Sequence, residues 1–462
     1  MTEQQRFTCD WLWNQLVVLS DGKVVCGCAD PYGERPLGDL NKQTLHDIWN
    51  APHVKKIRRQ LNDGYAPFCK PCGLKTMVDE DYQIPQRPEH VETLPRIFLE
   101  PAVGCNISCF EAVCNQTSKI VQTRSQRLMD WDDFKRIVDS VGDELVRLDF
   151  FNYGESFVHP KSVEMMEYIK ATYPSVFLYI STNGLLLTDD KMERLVKAGV
   201  DEITFSVDGP DQETYERYRV KGDFDKVFGI MRRFVEIRDA AGAQLPYLNW
   251  RYIIFKWNDT GEKMNRTREL AAEIGIDKLV WEITNHPPVA ASEKYQPETP
   301  AWREIYHEIW DTSQTCNAID GKRLLADISF DGGAARQRVT EPTTLTVRVE
   351  NTGGALWRCS ADGWRRTVRL GAQLHDRDRN LIDLDYARAF LPRDISGDEA
   401  IDIDIELPAL ETPGEYQLKF DMACEGIDWF ESGGSPVAWA DLTVSSATER
   451  TNGASTDTVP DD

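Results

Sequence analysis

The chain has 462 residues, 41% of them hydrophobic, a formal net charge of −23 and a pI near 4.8. That length predicts about two to four domains, since domains mostly run to roughly 100–200 residues, and the apolar share is enough to bury real cores. The acidity argues against nucleic acid as a partner, because phosphate binding relies on basic patches. No signal run follows Met1 and no stretch of about 18 apolar residues occurs, so the sequence predicts a soluble, cytoplasmic protein without a membrane span.

Eleven cysteines are unevenly spread: eight fall at or before Cys114, and only Cys316, Cys359 and Cys424 lie beyond. In a reducing compartment, clustered thiols are metal ligands more often than disulfides. The last three read as isolated structural thiols.

Residues 1–92 open with Cys9 and then a hairpin pattern, Leu16-Val-Val-Leu before Asp21-Gly22 and Lys23-Val-Val-Cys26-Gly-Cys28 after it. Cys26 and Cys28, two apart on a strand, are expected on one face. Helices are expected over Thr44–Asn50 and around Ile57–Leu61, followed by the knuckle Cys69-Lys-Pro-Cys72. Five thiols thus compete for a site of four ligands: Cys9, Cys69, Cys72 and either Cys26 or Cys28, with iron–sulfur and zinc both open.

After the apolar run Ile97-Phe-Leu comes Cys105-Asn-Ile-Ser-Cys109-Phe-Glu-Ala-Val-Cys114. Three thiols suit a soft metal centre, and three rather than four leave one coordination position open. From residue 93 to 318 strands and helices alternate, as in a parallel α/β sheet or barrel. Strands are expected at 97–101, 146–152, 176–182, 202–207, 248–255 and 279–283, and helices at 131–141, 162–173, 189–198 and 263–274. Ligands of such folds sit at the strands' carboxyl ends. There the sequence places Asn152-Tyr153-Gly154-Glu155, Ser181-Thr-Asn183-Gly184 and Ser206-Val-Asp208-Gly209, with Arg219 on a following helix. Arg251, Trp257, Asn258, Trp281 and Glu282 are further candidates for lining a substrate pocket.

Residues 319–446 change to strict alternation, as in Ile401-Asp-Ile-Asp-Ile-Glu-Leu407, which predicts an immunoglobulin-like antiparallel β-sandwich. Asp376, Asp378 and Asn380 fall in a D-x-D-x-N pattern that lacks an EF-hand's glycine and glutamate, so it reads as a solvated turn. Residues 447–462 are polar and read as a disordered tail. No P-loop or well-placed G-x-G-x-x-G is present, which argues against nucleotide hydrolysis and nicotinamide chemistry.

The stretch Glu100-Pro-Ala-Val-Gly-Cys105-Asn-Ile-Ser-Cys109 after a strand resembles the opening of the radical SAM family, whose three-cysteine loop follows the first strand of a partial (β/α)6 barrel. The family spacing is C-x3-C-x2-C; here it is C-x3-C-x4-C, with Ala112 where the third cysteine usually stands. The order in residues 1–92 resembles the SPASM and twitch modules that hold an auxiliary cluster, although those usually follow the barrel. The resemblance implies a 4Fe-4S cluster on Cys105, Cys109 and Cys114 that binds S-adenosylmethionine, and an auxiliary 4Fe-4S cluster in the first module. It also implies that Gly154 and Glu155 meet the cofactor's amino group, that Ser181 and Asn183 at the next strand end bind the cofactor, and that Ser206 and Arg219 hold its carboxylate. The implied activity is reductive cleavage of S-adenosylmethionine and hydrogen abstraction from a small-molecule, glycan or peptide substrate, with an external electron donor. The rival class is a non-catalytic iron–sulfur or zinc scaffold whose sandwich binds a partner or glycan.

Overall fold

A sheet covered by helices on one side needs strands that are apolar on that side only, and the central strands have this pattern. The computed structural model describes residues 6–27, 30–80, 82, 84, 86–110, 119–285, 287–297, 299–305, 308–309, 318–319, 322–330, 332–353, 355–359, 367–425 and 428–446. Contacts divide the chain into two units, one formed by Met1–Thr312 with Ala318–Lys322, the other by Ser313–Asn317 with Arg323–Asp462.

The first unit is built on β1 (Gln15–Val18), β2 (Lys23–Val25), β3 (Gly38–Asp39), β4 (Arg96–Leu99), β5 (Arg147–Asp149), β6 (Phe177–Thr182), β7 (Glu202–Ser206), β8 (Tyr247–Ile254) and β9 (Lys278–Ile283). These form one nine-stranded sheet in the order β9-β8-β7-β6-β5-β4-β1-β2-β3. From β4 to β9 the strands are parallel and in chain order, the partial (β/α)6 barrel. Between them run α2 (Trp131–Asp139), α3 (Ser162–Thr172), α4 (Asp189–Ala198), α5 (Phe224–Ala240) and α6 (Gly261–Ile274); α1 (Pro52–Asn62) belongs to the N-terminal module. The helices start where the sequence supplies caps: Asp130, Thr188, Asp223 and Thr260 each accept a backbone N–H of the first turn. Gly199 and Gly275 end α4 and α6 in the left-handed conformation, at φ 72° and 70°.

Leu148, Leu178, Ile180, Ile203, Phe205 and Trp250 are fully buried in the core that the helices share. The alternate residues make the opposite face polar. Arg96 and Arg147 both reach Asp149 at 2.6 Å. Burial alone would raise the Asp149 carboxyl, but the two guanidinium groups hold it below the usual carboxylate range.

The N-terminal module continues this sheet across the boundary drawn between residues 92 and 93. β1 pairs in parallel with β4, Leu16 opposite Ile97 and Val18 opposite Leu99. On the polar side Trp11 stacks on Phe98 with centroids 6.2 Å apart, and Phe98 meets Phe151 edge-on at 5.8 Å. A wholly buried ion pair locks the two parts. Glu100, just past β4, receives Arg124 Nε at 2.7 Å and Nη2 at 3.1 Å, Ser20 N at 3.2 Å and Asn152 Nδ2 at 3.0 Å. Arg124 Nη2 also donates to Pro31 O at 2.8 Å.

The second unit contains β10 (Ala326–Ser329), β11 (Ala335–Arg338), β12 (Thr343–Asn351), β13 (Val368–Asp376), β14 (Leu381–Phe390), β15 (Ala400–Leu407), β16 (Gly414–Cys424) and β17 (Ala438–Ser445). One sheet runs β10-β12-β15 and the other β11-β17-β16-β13-β14. In β15 Ile403, Ile405 and Leu407 are buried while Asp402, Asp404 and Glu406 are exposed, as the alternation predicts. β11 departs from the antiparallel expectation by pairing in parallel with β17. Asp376 accepts Asp378 N, Asn380 N and Asn380 Nδ2 at 2.8–2.9 Å, so these groups serve their own turn. The tail at 447–462 and Cys316 lie outside the described residues.

Removing one partner of a buried ion pair strands the other charge, which costs about 3–5 kcal/mol. Glu100→Ala should therefore lose about that much stability in a denaturant titration, and a change below about 1 kcal/mol would contradict the role given to this pair.

Candidate functional site

Because β4 to β9 are parallel, their carboxyl ends share one rim, and the segments following them meet there. The loop after β4 carries Cys105 and Cys109, both half-buried. Asn183, just past β6, donates from Nδ2 to Cys105 Sγ at 3.7 Å and to Asn106 Oδ1 at 2.9 Å. Arg219 donates from Nη1 to Cys109 Sγ at 3.6 Å and from Nε to Asp208 Oδ2 at 2.6 Å. Burial opposes the Arg219 charge, yet Asp208 and Cys109 hold the guanidinium even more firmly protonated than usual. Cys114 lies outside the described residues.

Arg219 is not on a helix. The helix expected to carry it stops at Glu216, and Arg219–Val220 runs antiparallel to Ser108–Cys109, with Phe110 N donating to Tyr218 O at 2.8 Å. Lys221, at φ 69°, and Gly222 then turn the chain toward α5. The short ladder satisfies backbone groups that a longer helix would have satisfied, and it brings Arg219 to the cysteine loop.

Gly154 lies against that loop so closely that a Cβ would sit 1.9 Å from Ala102 O. Glu155 N donates to Gly104 O at 2.8 Å. The buried Glu155 carboxylate turns inward: Oε1 accepts Thr182 Oγ1 at 2.8 Å and Phe157 N at 3.2 Å, and Oε2 accepts Asn183 N at 2.9 Å. Burial raises its pKa, and these three donors pull it partly back. Glu155 thereby fixes the strand end from which Asn183 reaches Cys105.

Ser181 and Ser206 face each other across β6 and β7, hydroxyls 3.4 Å apart. Arg251 of β8 donates from Nη2 to Ser206 Oγ at 2.7 Å and Ser181 Oγ at 3.2 Å, and its Nε lies 3.3 Å from Glu282 Oε2. Burial raises the Glu282 carboxyl and Arg251 draws it down. Of the other candidates, Trp281 is fully buried on the helix side, edge-on to Tyr252 at 5.1 Å. Asn258 is fully buried and bonds Phe255 N, Ile253 O and Asp208 O. Trp257 stacks on Phe255 at 4.8 Å. These three shape the wall rather than the rim.

In the N-terminal module Cys9, Cys26, Cys69 and Cys72 line one pocket with Trp11, Arg35 and Lys75. β2 ends at Val25, so Cys26 leaves the strand, and Cys28 lies outside the described residues. Burial pushes the Cys9 thiol up to about 11 and the Cys69 thiol up to about 12, and neighbouring thiols add to both. Coordinated metal reverses that preference, because it deprotonates its thiol ligands. The four thiols ring the pocket rather than converge: among the described residues no group of three or more His, Cys, Asp or Glu is close enough to hold one metal ion. Four thiols with two cationic side chains nearby have the donor chemistry for an iron–sulfur cluster, and the rim thiols with two N–H donors on their sulfurs have it too.

Sequence reasoning did not find Asp208 as the partner of Arg219, nor the Glu100–Arg124 pair. The available signal was a carboxylate directly after each apolar strand, in Ile97-Phe-Leu-Glu100 and Phe205-Ser-Val-Asp208. Among the described residues no helix is long and apolar enough to cross a membrane.

The radical SAM superfamily matches residues 99–240, and the SPASM iron–sulfur cluster-binding domain matches residues 9–73. An AdoMet-dependent heme synthase of Methanosarcina barkeri is 28% identical over 225 residues, covering 47% of this chain and 58% of that protein. A tungsten-containing aldehyde ferredoxin oxidoreductase cofactor-modifying protein of Pyrococcus furiosus is 34% identical over 206 residues, covering 43% and 53%. The chain thus spans under two thirds of either relative. Among solved structures, Streptococcus suis SuiB bound to S-adenosylmethionine aligns with a TM-score of 0.35 at 15% identity, covering 44% of each chain.

The contact at Gly154 leaves no room for a methyl group. Gly154→Ala should cost about 1–3 kcal/mol in denaturant melts. Gly229→Ala, inside α5 with nothing within 4 Å of an added Cβ, should instead stabilise by roughly 0.5–1 kcal/mol. Equal effects would contradict the packing argument.

Proposed function

From a chain whose residues 99–240 match the radical SAM superfamily and whose residues 9–73 match the SPASM iron–sulfur cluster-binding domain, we propose an enzyme that reductively cleaves S-adenosylmethionine and abstracts hydrogen from an organic substrate. The observation that carries the reading is the meeting of Cys105 and Cys109 with Asn183 and Arg219 at the carboxyl rim of the parallel strands. Cys105, Cys109 and Cys114 would hold the substrate-side 4Fe-4S cluster. Cys9, Cys26, Cys69 and Cys72 would hold the auxiliary one. When bound, the cluster and S-adenosylmethionine supply the radical chemistry, with the electron coming from an external donor.

The chain's own groups bind and orient. Gly154 allows its loop to lie on the cysteine loop, where backbone carbonyls of the loop would serve as acceptors for an ammonium. Ser206, Arg219 and Arg251 are donors suited to a carboxylate. Asn183 presents an amide beside Cys105, and the aromatic wall of Phe110, Phe255 and Trp257 excludes water from that side. The C-terminal unit is assigned as an immunoglobulin-like accessory sandwich, and the buried alternate residues of its strands support that assignment.

Anaerobic incubation with S-adenosylmethionine and a strong reductant should produce 5′-deoxyadenosine, and Cys105→Ala should abolish it. A wild type that holds a full complement of iron and yields none would sink the catalytic reading. The double substitution Cys69→Ala with Cys72→Ala should remove about half the iron, one cluster of two, while the cofactor-sensitive EPR signal persists. Unchanged iron, or zinc in place of the lost iron, would contradict the auxiliary assignment.

A further inference from the structure

Arg219 occupies an unusual place for a group expected to meet a cofactor's carboxylate. Its guanidinium is largely buried and forked: Nε is held by Asp208 at 2.6 Å, while Nη1 points at Cys109 Sγ, 3.6 Å away. The placement is not left to side-chain freedom. Arg219 lies directly opposite Cys109 in the two-residue ladder with Ser108–Cys109. Asp208 is itself fully buried and anchored, with Ile253 N donating to its Oδ1 at 2.8 Å. Tyr218 carries the ring under the guanidinium at 5.0 Å. Backbone pairing, a carboxylate and an aromatic face therefore converge to aim one N–H at a sulfur.

Hydrogen bonds to ligand sulfurs and nearby charge are among the levers by which a protein sets a cluster's reduction potential. Reduction adds an electron. A cation that donates an N–H to a thiolate stabilises the more negative, reduced state and raises the potential.

We infer that Arg219, positioned by Asp208 and by the ladder to Cys109, sets the reduction potential of the cluster held at the rim. This rests on the cluster assignment made above and goes beyond it, because it gives Arg219 a function that does not require S-adenosylmethionine. Asn183, which places its amide N–H near Cys105 Sγ, is the neutral counterpart at the neighbouring ligand. The charged donor is the stronger lever of the two.

The test is an EPR-monitored redox titration of the full-length chain without S-adenosylmethionine, in a Cys69→Ala, Cys72→Ala background that leaves only the rim signal. Arg219→Met alone would strand the buried Asp208 charge, so the decisive variant pairs it with Asp208→Asn. It should reconstitute with the same iron and titrate at a more negative potential than the parent. Arg219→Lys, which keeps a cation near the sulfur, should show a smaller shift in the same direction. A parental potential in the double variant overturns the inference, as does a lysine shift at least as large as that of the double variant. If the parent itself yields no reducible signal, the cluster assignment fails instead, so the two failures are told apart.

Discussion

A carboxylate with no access to water must be held by donors from the protein, and Glu100 is the case on which the most structure depends. Its two oxygens gather a guanidinium, a backbone N–H and an amide from three separate segments. Buried ion pairs contribute little net stability over apolar replacements, but they define which groups must be adjacent. Here the adjacency joins the N-terminal module, the chain beyond the cysteine loop, and the loop after β5. The sheet pairing of β1 with β4 follows the same seam.

The same device recurs along the rim. Glu100 follows β4, Glu155 follows β5 and Asp208 follows β7, and each is fully or almost fully buried. Each turns its oxygens to donors on the next segment: Glu100 to Asn152, Glu155 to Asn183, Asp208 to Ile253 and Arg219. Irregular loops at the end of a parallel sheet are thereby given fixed positions without regular hydrogen bonding of their own. The groups left facing the rim are thiols, hydroxyls, an amide and guanidinium groups. That set suits a soft metal centre and an anionic or zwitterionic ligand, which is the chemistry proposed for it.

Much of this was legible in the sequence because periodicity and cysteine spacing are local. The six barrel strands, four of the helices and the Cys69–Cys72 knuckle were read from such patterns. α5 was not among them, although Asp223 caps it. The placement of Arg219 on a short strand escaped the reading because a two-residue ladder has no periodicity and depends on a partner 110 residues away. The alternatives at Cys26 and Cys28 were equivalent on a strand; Cys26, just past the end of β2, lines the pocket, and Cys28 lies outside the described residues. The parallel pairing of β11 with β17 was invisible for a similar reason, since alternation reports which face is buried and not which way the neighbour runs.

The edge-to-edge joining of β1 and β4 also bears on how the protein is made. A two-stranded hairpin is marginal by itself, and an unpaired strand edge invites pairing with other chains. β1 and β2 leave the ribosome first, but the strand that covers β1 and the carboxylate that receives Ser20 N arrive about 80 residues later. Cys9 precedes β1, and Cys26, Cys69 and Cys72 are synthesised within that interval. During translation the four thiols are therefore all present before β4 arrives, and every residue lining their pocket lies between Cys9 and Lys75. The lining of that pocket is thus synthesised ahead of the barrel, whereas the edge of β1 stays uncovered until β4 pairs with it.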